Sequence, residues 1–307
     1  MSVWTEAFQQ AVAQTPSAML MLALCALVFF ALAVGVKGLG AALTSGKAAG
    51  EDTRVNAILS GIDQFTVTPL LNGINVVVTS ALAGAIGVSL HALAAQAGWR
   101  LDIAAVWASL GPAPTVAATV FVGDFFGYWR HRLQHSRWLW PAHAVHHSDT
   151  TLTWFSLERM HPIDRIGSLC DSLLLAALGI PPWALIVNVN VRHFYGYLVH
   201  ADVPWTLGKA NWLFNSPAMH RWHHACDPRA YNSNFATVFS VFDRLFGTYY
   251  QPGPCDAPLG VDFDMGRGVV GQYLYPLKVW FGIGKQAPVW SAAEVTGEGD
   301  SLSPGRA

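Results

Sequence analysis

Eleven of the chain's twelve histidines lie between His131 and His224, and eight of them fall into three short clusters. The clusters read His131-Arg132-Leu133-Gln134-His135, His143-Ala144-Val145-His146-His147 and His220-Arg221-Trp222-His223-His224. Residues three and four apart share one face of a helix. An H-x-x-x-H and two H-x-x-H-H clusters are therefore each expected to aim a group of imidazoles at one point. Neutral imidazole ligates iron, zinc and copper, and no cysteine or carboxylate cluster competes for that role here. One zinc ion takes about four ligands. Eight point to two metal ions.

The lone histidines read differently. His200 closes an apolar stretch and surfaces beside the clusters, which favours it as a further ligand. His161, in Arg159-Met160-His161-Pro162, is evenly balanced between ligand and hydrogen-bonded structural residue. His193 lies about two turns deeper and is the weaker candidate, and His91, inside an apolar stretch, reads as structural. Ligating imidazoles need acceptors for their second nitrogen. Asp124, Asp149, Glu158, Asp164 and Asn234 are the available candidates.

What must position these residues is apolar. Hydrophobic residues make up 52% of the 307 positions and charged residues 12%, against a soluble norm of roughly 25% charged. A formal net charge of −1 gives nucleic acid nothing to bind. The four cysteines are scattered, with no C-x-x-C pair, and imply no disulfide framework. The run from Ser17 to Val36 has no basic residue before it, so it reads as a retained transmembrane helix and not as a cleaved leader. Further apolar stretches run from Pro69 to Ala97 and from Ile103 to Trp129, the latter with Gly111-Pro112 near its start. A fourth, Ile166 to Val199, is broken at Pro181-Pro182 and predicts a helical hairpin.

Lys37, Lys47 and Arg54 follow the first span, and Arg130, Arg132 and Arg137 follow the third. The positive-inside rule then places all three clusters on the cytoplasmic side. The last twenty or so residues predict a disordered tail, and short strands are conceivable around Val261 to Val270. The expected fold is all-α and integral to the membrane: about three transmembrane helices plus a helical hairpin, capped by a cytosolic, histidine-rich helical domain for two metals.

Taken in order, the clusters resemble the fatty acid hydroxylase superfamily, which includes sterol desaturases, methylsterol oxidases and alkylglycerol monooxygenase. The resemblance spans about Asp124 to Tyr249. It rests on Tyr128-Trp129-Arg130-His131 through His135, His143 through Ser148, Arg159-Met160-His161-Pro162, His200, Ser216-Pro217-Ala218-Met219-His220 through His224, and Phe242-Asp243-Arg244-Leu245-Phe246-Gly247-Thr248. It implies a di-iron site ligated by His131, His135, His143, His146, His147, His200, His220, His223 and His224. It also implies residues 1–116 as a membrane-spanning region, 117–252 as the catalytic region and 253–307 as an extension. The family's Ser-Asn after the lone histidine is Ala201-Asp202 here, and its Asn-Tyr-Gly is Asn234-Phe235-Ala236, so the substrate stays open.

The function expected on this basis is O₂-dependent hydroxylation, or desaturation, of a lipid C–H bond in an acyl, sterol or isoprenoid substrate. No haem-attachment or dinucleotide motif is present. Electrons must therefore come from a separate ferredoxin-like or cytochrome-type carrier with its reductase. A zinc-dependent membrane hydrolase is the first rival, weakened because no cluster contains a glutamate to serve as general base. A non-catalytic metal-binding or transport protein is the second, weakened because its histidines belong inside the spans.

Overall fold

The computed structural model describes residues 3–71, 103–266 and 268–283, with isolated positions at 81, 85 and 96. Regular structure among these residues is helical. The first helix, α1 (Val3–Lys37), contains the one described segment long and apolar enough to cross a membrane, Val12–Lys37, with 26 residues at mean hydropathy 2.8. At 1.5 Å per residue it exceeds the roughly 30 Å of a hydrocarbon core. Gly38, at φ 84°, ends it. The basic connection that follows is itself helical, as α2 (Leu39–Ala48) and α3 (Gly50–Ile62), the latter running on into a π-helical turn at Asp63–Val67.

The expected second span, with His91, and the expected disordered tail lie outside the described residues. The expected third span is two helices, α4 (Ile103–Leu110) and α5 (Pro112–Gln134). Gly111 adopts φ 73° and Pro112 starts a new helix, so the apolar run cannot continue straight. α5 also buries polar groups: Thr115, Thr119, Asp124 and Gln134 are all inaccessible. Its glycines allow close approach, since a Cβ at Gly127 would overlap the guanidinium of Arg192 and one at Gly123 the amide of Asn188. α5 is thus a central packing helix.

The hairpin is present. Its arms are α7 (Pro162–Ala177) and α8 (Pro182–His200), after a short α6 (Trp140–His147), and they turn at Gly179, φ 66°. Helix α9 (Pro217–His223) starts on Ser216, whose side chain accepts the Met219 N–H at 3.0 Å, with Pro217 in the first turn. α10 (Val241–Leu245) and α11 (Gly268–Trp280) complete the order. No strand forms over 261–270 among the described residues. Val261 and Phe263 instead pack into a core of Leu59, Trp140, Val145 and Tyr275, and the one β-bridge nearby is isolated, Ala225 with Leu259.

Buried Arg159 binds these parts together. Its guanidinium donates to Asn56 (2.6 Å) and Asp52 (2.9 Å) of α3, to Ser148 (2.7 Å) at the end of α6, and pairs with Asp149 at 2.7 Å.

Candidate metal centre

The nine histidines gather into two groups. Group 1 comprises His131, His135, His143, His147 and His223, and group 2 comprises His146, His200, His220 and His224; in each, the ring nitrogens lie within 4.8 Å of one another. The groups adjoin, with the His147 and His224 rings stacked at 4.3 Å and 21°. Neither H-x-x-H-H cluster aims at one point. His143 and His147, four apart, serve group 1 while His146 crosses to group 2; His220 and His224 serve group 2 while His223 crosses to group 1. The reason is angular. At about 100° per residue, positions i+3 and i+4 fall on opposite flanks of position i, so neighbours point to different places.

Hydrogen bonding fixes how the rings face. The Nδ1–H groups of His131, His146, His200 and His223 donate to the backbone carbonyls of Phe235 (2.7 Å), Arg159 (3.1 Å), Gly196 (2.7 Å) and Ser233 (2.6 Å). A carbonyl only accepts, so each of these neutral rings carries its proton on Nδ1 and presents a bare Nε2 lone pair inward. Yet His131 Nε2 and His223 Nε2 lie 3.0 Å apart, and His146 Nε2 and His200 Nε2 lie 3.2 Å apart. Two bare lone pairs cannot hydrogen-bond and repel at that range. With metal–nitrogen bonds of about 2.1 Å, neighbouring ligands at right angles sit about 3.0 Å apart. The spacing is that of ligands to a shared cation.

Protonation would be the other way to relieve the clash, and the surroundings oppose it. Burial and then the neighbouring imidazoles push His131 and His146 well below the usual histidine range, and burial pushes His200 and His223 down to about 4. The buried Nε2 atoms of His135 and His147 have no hydrogen-bond partner. All-imidazole and neutral, with seven rings buried and His131 and His135 half-buried, the donor set fits iron, zinc or copper.

His161 and His193 join neither group. His161 caps α7, accepting the Ile163 N–H at 3.3 Å, and His193 sits 3.3 Å from Glu158. Of the candidate acceptors, only Asp164 meets a grouped histidine directly, with Oδ2 3.2 Å from His143 Nδ1 and Oδ1 accepting from Gln134 at 2.8 Å. Asp149 pairs with Arg159, and Glu158 accepts from Tyr197 and Arg165. Asn234, left-handed at φ 60°, clips the Met219 and Tyr250 backbones together. The main orienting groups, four carbonyls, escape any sequence reading because every residue has one.

Asp202 forms ion pairs with Lys37 at the end of α1 and with Arg221 (3.7 Å) of α9. The acid two residues after His200 thus ties the first helix to the third cluster. Trp205, Trp212 and Phe214 are exposed, Phe214 stacking towards Phe239 at 5.7 Å, whereas Trp222 is buried against Tyr250.

Residues 116–248 match the fatty acid hydroxylase family. The chain is 30% identical to the ornithine lipid hydroxylase OlsE of Rhizobium tropici over 164 residues, 52% of this chain and 50% of that protein. It is 32% identical to alkylglycerol monooxygenase of Xenopus tropicalis over 131 residues, 42% and 29% of the two chains. It is 26% identical to methylsterol monooxygenase 1-3 of Arabidopsis thaliana over 141 residues, 41% and 45%. The chain thus spans half or less of these relatives' length. No solved structure matches it.

Proposed function

We propose, on the match of residues 116–248 to the fatty acid hydroxylase family, that the protein is a multi-pass membrane monooxygenase that holds one iron in each histidine group and hydroxylates a lipid C–H bond. The paired bare Nε2 atoms, 3.0 and 3.2 Å apart, are the observation that carries this reading. Two ferrous ions there would supply the chemistry that activates O₂ for attack on an unactivated carbon. One oxygen atom enters the C–H bond to give an alcohol and the other leaves as water. Two protons and two electrons come from outside, the electrons from a ferredoxin-like or cytochrome-type carrier with its reductase.

The chain's own part is positioning. The carbonyls of Phe235, Ser233, Arg159 and Gly196 hold the ring tautomers, and burial keeps the imidazoles neutral and bulk water away from the oxidant. The exposed aromatic residues near Phe214 and Phe239 offer an apolar approach for a chain arriving from the bilayer, with the centre on the cytoplasmic face. The relatives' names support oxygen insertion over desaturation, and amino-acid-headgroup lipids, glyceryl ethers and methylsterols are the substrate classes to screen.

The test compares lipids from cells with and without the gene, grown under isotopically labelled dioxygen. A lipid that gains one labelled oxygen atom, together with about two irons per purified chain, is the expected result. Zinc alone after iron-replete growth, with an unchanged lipid profile, would overturn the reading.

Asp164 gives a further expected outcome. Alanine there removes the acceptor behind His143, and losses of this kind weaken metal binding by about 10–100-fold. Chelator competition on purified D164A should show that loss for one of the two irons. Retention equal to wild type at both would reduce Asp164 to a packing role.

A further inference from the structure

Beside group 1 lies a small chamber whose lining includes His135, His147, His223, Tyr231, Asn232 and Val261. No group 2 histidine reaches it. We propose that this chamber is the port by which dioxygen reaches the group 1 metal and product water leaves, separate from the path taken by lipid. The inference rests on the di-iron reading above and adds to it a route, a side and a set of residues.

Size decides what the chamber can pass. The space open to the centre of a water molecule is about 20 Å³. Space for a water's centre at all means that at least one water-sized molecule fits, since one water fills about 10–15 Å³ of occupied cavity volume. Pockets for larger organic ligands run to about 300–1,000 Å³. An acyl or sterol chain is therefore excluded on this side, while a diatomic gas is not.

The lining suits such traffic. The unpartnered, buried Nε2 atoms belong to His135 and His147, two of the three histidines that line it. Asn232, left-handed at φ 56°, lines the chamber together with His135, and the Tyr231 hydroxyl lies 3.7 Å from Cys226 Sγ. Val261 and Phe263 supply an apolar wall and are themselves packed against the core under α3, α6 and α11, so the closing segment is anchored. A half-polar, half-apolar throat passes both O₂ and water without binding either tightly.

Nitric oxide, a neutral diatomic that forms a coloured adduct with ferrous iron, is the probe. Anaerobic stopped-flow mixing with the iron-loaded protein reads the rate of adduct formation, with iron content and thermal melting measured on the same samples. V261F should fill the throat and slow the reaction by about tenfold or more, equivalent to about 1.4 kcal/mol of barrier. V261A should widen it and speed the reaction. Wild-type rates in both variants, with iron retained, would overturn the port and leave the di-iron reading standing. If V261F does not fold, an unchanged rate in V261A alone overturns it. A wild-type protein that retains no iron removes the di-iron reading and the port together.

Discussion

The His146→Ala protein should lose about one iron per chain and stop hydroxylating lipid, a fall of a thousandfold or more, roughly 4 kcal/mol of barrier. His146 is one of four histidines in group 2 among the described residues, and each ligand there carries a larger share of the binding than one of five. It is also the residue that crosses from α6 to the far group, so no neighbour on its own helix can replace it. Removal leaves the Arg159 carbonyl without its 3.1 Å donor and takes away one of the two Nε2 atoms that face His200, His220 remaining at 3.0 Å. Group 1 keeps all five members, and the apolar first helix is untouched. Iron analysis, product detection by mass spectrometry and a membrane-integration assay separate these effects. H161A is the control: it deletes a helix cap, which costs about 1 kcal/mol, and should keep both irons. Full turnover in H146A would mean that group 2 is not the catalytic pair's second half.

How much of this was legible in the sequence follows from what sequence encodes. That the clustered histidines would gather was, because imidazole chemistry and helical spacing are both written in residue order. His200 was reachable for the same reason, ending an apolar helix at the right level. The exchange of His146 and His223 between groups was not foreseen, although the angle between adjacent helical residues demands it. Four of the five outward hydrogen bonds end on backbone carbonyls, which no residue type announces. The hairpin was marked by Pro181-Pro182, since proline terminates one helix and starts the next. By hydropathy alone Ile103 to Trp129 counts as one run. Gly111-Pro112 splits it, and Asp124 and the glycines mark α5 as a helix packed on protein along one side. Val261 and Phe263 alternate like a strand but find no strand to pair with among the described residues, and the core takes them instead.

Asp124→Ala should lower stability by roughly 3–5 kcal/mol, although Asp124 hydrogen-bonds none of the nine histidines. Its carboxylate is wholly buried and accepts three backbone N–H groups, from Thr237 (3.2 Å), Val238 (3.0 Å) and Phe239 (2.8 Å). Arg192 lies 3.5 Å from the same carboxylate and keeps Asp171, at 3.4 Å, as its one remaining acidic partner among the described residues once it is gone. Each buried donor left unpaired costs about 1–3 kcal/mol, and relaxation recovers part of the sum. Set against a typical total of about 5–15 kcal/mol, the loss is large, and a melting point lower by on the order of 10 °C is expected in detergent. The same loop carries Phe235, whose N–H and whose neighbour's N–H are held by Asp243 at 2.7 and 3.0 Å, and whose carbonyl orients His131. Asp124 and Asp243 thus grip the strip from 235 to 239 from its two ends. Loosening one end lets the Phe235 carbonyl drift, so D124A should also shed iron from group 1 before group 2. D124N keeps one acceptor oxygen and should fall between wild type and alanine on both measures. An unchanged melting point in D124A, or iron lost equally from both groups, would show that the loop is held by its aromatic packing on Tyr128 and Phe242 and not by the carboxylate.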